Sequence, residues 1–168
     1  TTVAWQLALE NTDTPSALIL SRQNIKDLPA ITNRYEEAKK ACMGAYIVEE
    51  CENPSVILVA SGSEVASLIE SAVLLRERDG LGVRVVSAPS EGLFRVQDKA
   101  YQESVLPRSI PKFGLTAGLP VTLRGLVGDS GAIWGLSSFG FSAPYDVLDK
   151  QLGFTPENIY TQVKTFLA

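Results

Sequence analysis

The side chains that most often carry chemistry are scarce in this sequence, and the scarcity is itself informative. Histidine is absent from all 168 positions. That excludes a Ser-His-Asp triad, a Cys-His pair, HExxH zinc chemistry and any histidine general base within the chain. Carboxylates and lysines remain as proton carriers, but no pair of Asp or Glu residues suggests two-carboxylate catalysis. Glu36-Glu37 and Glu49-Glu50 read as solvated faces. Cys42 and Cys51 form no CxxC pair, so they fit neither zinc nor a redox motif and read as free thiols of a reducing compartment.

Arg22 is the one charge whose setting invites a binding role. It stands between Ser21 and Gln23, directly after the apolar run Ala17 to Leu20. A guanidinium there can grip a phosphate or carboxylate with its planar fork. The alternative is a salt-bridged surface arginine. Other candidates are better explained by structure. Ser61-Gly62-Ser63-Glu64 could bind an anion at a helix N-terminus, yet it matches no phosphate-loop pattern. Ser61 and Glu64 fit a capping box instead. Gly125, Gly128 and Gly131, with Asp129, have the spacing of turns. Trp134, Phe139, Phe141 and Tyr145 form an aromatic group suited to core packing or a subunit interface rather than to base stacking.

These residues need elements to hold them. Thr1 to Asn11 reads as a helix already in progress, with Val3, Leu7 and Leu9 on its apolar side. An opening helix without an initiating methionine suggests a piece of a longer protein. Ala17 to Leu20 predicts a short buried strand, with its polar end where α/β folds bind ligands. Residues Ile25 to Cys42 read as a linker, helical near Tyr35 to Lys40. Gly44 to Glu50 predicts a strand. Ser55 to Ala60 is a continuous apolar run and predicts a central parallel strand. Val65 to Arg78 has helical spacing and stops at Asp79-Gly80. Val83 to Ser87 is the next strand, completing a βαβ unit. One helix is predicted over Phe94 to Leu106, and strands over Phe113 to Ala117 and Ile133 to Leu136. Between those strands, Leu123 to Val127 has room for a turn or two of helix. Helices close the chain at Tyr145 to Leu152 and from Thr155 onward, Pro156 sitting in the first turn of the last. The order predicts a three-layer α/β/α domain with a mostly parallel sheet.

Composition narrows the partners. The formal charge is −4, with 45% hydrophobic residues. An acidic chain with interspersed charges argues against nucleic acid and against an anionic membrane surface. No apolar run approaches the roughly 18–20 residues of a membrane-spanning helix.

Several segments, taken in order, resemble the transketolases. Ala17 to Asn24 (ALILSRQN) resembles the end of their pyrimidine-binding domain. Ser61 to Val65 (SGSEV), Val85 to Ser90 (VVSAPS), Asp98 to Pro107 (DKAYQESVLP) and Phe139 to Pro144 (FGFSAP) resemble their C-terminal domain, and Leu152 to Thr155 with Glu157-Asn158 its closing segment. Thr116 departs from the pattern, standing where the family carries a glutamate before Ala-Gly, and Val121 to Gly128 is also unusual. The resemblance implies residues 1–24 as the last helix and strand of the pyrimidine-binding domain, 25–42 as an interdomain linker and 43–168 as the C-terminal α/β domain. It implies a cytoplasmic homodimeric enzyme that uses thiamine diphosphate with Mg or Ca. Such an enzyme moves a two-carbon ketol unit between sugar phosphates in the pentose phosphate pathway. The resemblance gives Arg22 a contact to the substrate phosphate. Ser21, Gln23 and Asn24 match the motif without a catalytic role. It places the coenzyme and metal sites upstream of Thr1, so the segment alone is expected to be inactive and to bind neither. Two other readings are a free-standing binding or regulatory module, and the C-terminal domain of another thiamine enzyme, such as a 1-deoxyxylulose-5-phosphate synthase or a 2-oxoacid dehydrogenase β subunit. LSRQN and FGFSAP favour transketolase over the latter.

Overall fold

A computed structural model of the chain describes residues 1–30 and 32–168. Ile31, which falls within the expected linker, lies outside the described residues. The opening helix α1 spans Thr2–Glu10. Helix α2, Arg34–Ala38, starts where the Asn33 side chain accepts from the amides of Tyr35 and Glu36, and a 3-10 turn follows over Lys39–Met43. α1 rests against that turn, burying Val3.

The sheet begins with β1 (Tyr46–Glu49) and β2 (Val56–Ala60). Helix α3 (Glu64–Asp79) crosses to β3 (Val83–Ser87). Helices α4 (Glu91–Arg95) and α5 (Lys99–Val105) lead to β4 (Lys112–Leu115). A 3-10 turn at Pro120–Leu123 and the one-turn helix α6 (Arg124–Val127) precede β5 (Ala132–Trp134). Helices α7 (Tyr145–Leu152) and α8 (Pro156–Leu167) end the chain. Strand order is β1-β3-β2-β4-β5, with β1 antiparallel to β3 and the other pairs parallel. β2 is therefore central, as its unbroken apolar run requires.

Because strand side chains alternate between faces, β2 feeds two cores. Val56, Leu58 and Ala60 join Leu68, Leu75, Ile159 and Val163 beneath α3 and α8. Ile57 and Val59 join Val86, Phe94, Val105, Leu123 and Leu126 on the opposite face, beneath α4, α5 and α6. This is the expected α/β/α sandwich. Ser71, on α3, donates to the carbonyls of Ser67 (2.7 Å) and Pro156 (3.2 Å), which fastens α8 to α3.

Four local expectations are corrected. Ala17 to Leu20 is not part of the sheet, and Ile19 is 92% and Leu20 59% exposed. An apolar run becomes a strand only beside another strand, and none of the described residues offers one there. The single helix expected over Phe94 to Leu106 is two, because the chain turns at Val96 to Asp98 and the Asp98 carboxylate accepts from the Tyr101 amide at 2.7 Å. The capping box is also absent. Gly62 turns the chain with φ at +62°, so α3 starts two residues later than the box requires, and Ser63 donates to Glu64 (2.9 Å) instead of capping. Finally, Glu49 and Glu50 are not merely solvated. Glu49 pairs with Arg76 of α3, and Glu50 accepts from Arg84 of β3 at 2.9 Å.

Candidate functional site

Arg22 lies on an exposed stretch that follows α1. The Ser21 hydroxyl donates to the Gln23 carbonyl (3.4 Å), curling the backbone around the arginine. Among the described residues the Arg22 guanidinium has no ion pair and no hydrogen-bond partner. The salt-bridged alternative is thus not what the structure shows. Four residues later Lys26 bonds Glu70 of α3 at 2.8 Å, and Leu28 packs against the α3–α8 core. The path leading away from Arg22 is therefore fastened to the domain at two points, one polar and one apolar. The Lys26–Glu70 pair is exposed and contributes about 0–1 kcal/mol, so the burial of Leu28 is the firmer hold.

The other candidates resolve toward structure. At the α3 N-terminus the Glu64 carboxylate itself supplies the negative charge that the first-turn amides favour. Burial pushes its pKa up, and the nearby Asp149 adds to the rise against the opposing Ser63 hydrogen bond. Burial likewise raises Asp149. Gly128 sits at positive φ just past α6, and Arg124 donates to the Gly128 and Gly131 carbonyls at 2.9 and 3.1 Å. These glycines therefore belong to a braced turn, as their spacing predicts. The aromatic group divides. Trp134 packs on the core and its indole N–H donates to the Leu152 carbonyl at 3.3 Å. Phe139 is 98% exposed, and Phe141, Tyr145 and Val147 are also exposed. For those three aromatics the core reading is overturned, and the interface reading is the one left.

Both cysteines are free. Among the described residues no three His, Cys, Asp or Glu side chains gather as a metal would require, and no helix is long and apolar enough to cross a membrane. Nothing in the sequence pattern singles out Lys112, yet it is a nearly buried cation. Its ammonium donates to the carbonyls of Pro107 (2.6 Å) and Ile110 (3.0 Å), and burial lowers its pKa. The only signal available was a charge at the head of an apolar strand.

Comparison with known proteins agrees with this geometry. Residues 44–155 match the family model described as the transketolase-like TK C-terminal domain. A curated relative, transketolase 2 of Aliivibrio fischeri, is 45% identical over 168 residues, covering 99% of this chain and 25% of its own length. The chain thus spans about a quarter of the curated relatives it matches. Among solved structures, the transketolase from Leishmania mexicana superposes with a TM-score of 0.87 at 34% identity, over 99% of this chain and 23% of that one. A Pichia stipitis transketolase in complex with sedoheptulose-7-phosphate gives 0.82 at 28% identity, again over 99% and 23%.

Proposed function

This chain belongs to the transketolase family as a C-terminal segment, and we propose that the whole enzyme transfers a two-carbon ketol unit from a ketose phosphate to an aldose phosphate, with Arg22 gripping the substrate phosphate. One observation carries the assignment to Arg22: an exposed guanidinium with no protein partner among the described residues, held on a stretch tethered through Lys26 and Leu28. The sugar phosphate named with the Pichia stipitis structure is the substrate class that such a fork suits.

In this proposal residues 1–24 end the pyrimidine-binding domain, 25–42 link the domains and 43–168 form the C-terminal domain. Thiamine diphosphate and its divalent metal would be held by residues outside this chain. The side chains present do not fit a Mg or Ca site, which needs convergent oxygen ligands. No three metal-ligating side chains gather among the described residues. This segment's part in the reaction is accordingly to position substrate and to assemble the enzyme in the cytoplasm. The exposed apolar side chains Trp5, Leu9, Ile19, Leu20, Phe139 and Phe141 are the surface we assign to the remaining domains and to the partner subunit of a homodimer, since apolar exposure on this scale marks interfaces.

Arg22→Ala in the whole enzyme tests the assignment. Losing a charge-assisted contact costs about 1.5–3 kcal/mol, roughly ten- to a hundredfold. The expected result is a higher KM for phosphorylated sugars with unphosphorylated ones spared. Equal effects on both would refute the phosphate role. The isolated segment should show no ketol transfer and no metal-dependent coenzyme binding by calorimetry. Turnover by the segment would overturn its proposed role.

A further inference from the structure

On the sheet face opposite the Lys26–Glu70 tether, a groove of about 730 Å³ runs between α5 and α6. Its volume lies within the range typical of small-molecule sites, about 300–1,000 Å³. Three cations line it: Lys99, Arg108 and Lys112. Among the described residues none of the three pairs with a carboxylate. Lys99 donates to the Gln102 amide oxygen at 3.1 Å, and the Arg108 guanidinium has no hydrogen-bond partner among the described residues. Lys112 is 8% exposed and spends two of its three N–H donors on backbone carbonyls, which leaves the third for the groove.

Glu103 is the one acid in the lining, and its carboxylate accepts from the Arg108 amide at 2.7 Å. The groove therefore carries two more positive than negative side chains, in a chain whose net charge is −4. Concentrated cations in a concave surface raise the local concentration of anions. Phe94, Leu106 and Leu126 supply apolar wall beside the charges. Together these features match a ligand with an anionic head and an apolar ring.

We propose that this groove binds a small organic phosphate or carboxylate bearing an apolar ring, its anionic group held by Arg108 and Lys112 and its ring against Phe94 and Leu126. Nothing in the proposal depends on the role given to Arg22.

The test titrates the ¹⁵N-labelled full chain with phenyl phosphate and follows amide shifts. Inorganic phosphate and benzyl alcohol serve as controls. Saturable shifts are expected at Gly125, Gly128 and the Gln102–Glu103 amides. Binding should weaken about tenfold in Arg108→Ala and at least as much in Lys112→Gln. Inorganic phosphate should bind more weakly than phenyl phosphate, and benzyl alcohol should not saturate. Arg108 is exposed, so its variant decides the matter even if Lys112→Gln does not fold. Shifts scattered over the surface, unchanged affinity in Arg108→Ala, or inorganic phosphate binding as tightly as phenyl phosphate would each overturn the proposal.

Discussion

Two alanine substitutions at turn glycines should differ sharply, although both sites have positive φ. Gly62 sits at φ +62°, and a Cβ built there meets nothing within 4 Å. Gly62→Ala should therefore cost only the left-handed backbone penalty, about 1–2 kcal/mol. Gly44 sits at φ +83°, and its Cβ would lie 2.1 Å from the Phe94 nitrogen and 2.4 Å from the Ser90 oxygen. Those are backbone atoms and cannot swing aside. The Ser90 amide also donates to the Gly44 carbonyl at 2.9 Å, so the two segments cannot part without breaking that bond. Relief would have to lift α4 away and expose Phe94, which is 5% exposed. Exposing such a side chain costs about 1.5–3 kcal/mol. Added to the backbone penalty, Gly44→Ala should lose about 2.5–5 kcal/mol, a large share of the roughly 5–15 kcal/mol that holds a domain folded. Urea unfolding followed by tryptophan fluorescence measures both losses. Equal losses at the two sites, or a Gly44→Ala variant within about 1 kcal/mol of the parent, would refute the argument from backbone overlap.

Three further outcomes are expected. Ile159→Ala opens a cavity between α8 and the α3 core and should cost about 2–5 kcal/mol in the same unfolding assay; a loss below about 1 kcal/mol would mean that α8 is not packed as described. Tyr101→Phe removes the hydroxyl that donates to the Ala45 carbonyl at 2.9 Å and should cost about 0.5–1.5 kcal/mol, whereas a more stable variant would contradict that bond. Burial raises the Glu64 pKa, so the fold favours the protonated carboxyl. That contribution is complete below the unfolded pKa and is lost as pH rises through the folded one. Glu64→Gln should then melt at a higher temperature than the parent at pH 7, the gap closing near about pH 4; a lower melting temperature at pH 7 would contradict the burial effect.

The elements legible in the sequence are those whose signal is local and redundant. β2 is an unbroken apolar run, α3 repeats its apolar positions until Gly80, and Thr155-Pro156 announces α8, where the Thr155 hydroxyl accepts from the Asn158 amide at 3.4 Å. The misreadings have different causes. Ala17 to Leu20 has the composition of a strand, but a strand needs a ladder beside it. Phe94 to Leu106 keeps apolar residues at helical spacing across the break. The Asp98 cap that restarts the helix was readable, since Asp is a favoured N-cap, but periodicity outweighed it. Arg22 was legible as a charge set apart by its context, while its lack of a protein partner is a fact of tertiary arrangement. Lys112 was hidden because a lysine heading a strand gives no sign that loop carbonyls will close over its ammonium.

The two edges of the sheet bear on how this protein behaves at high concentration. β1 has four residues and β5 three, and the register of β1 against β3 slips between Ile47 and Glu49. Short, irregular edges make poor templates for a foreign strand, and the Glu49–Arg76 and Glu50–Arg84 pairs place charge along the β1 side. The long, regular strand β2 lies in the interior with a parallel neighbour on each side. The segment most prone to fibril-like stacking by composition is thus sequestered unless the whole domain opens, so self-association through backbone pairing should track global unfolding rather than local fraying.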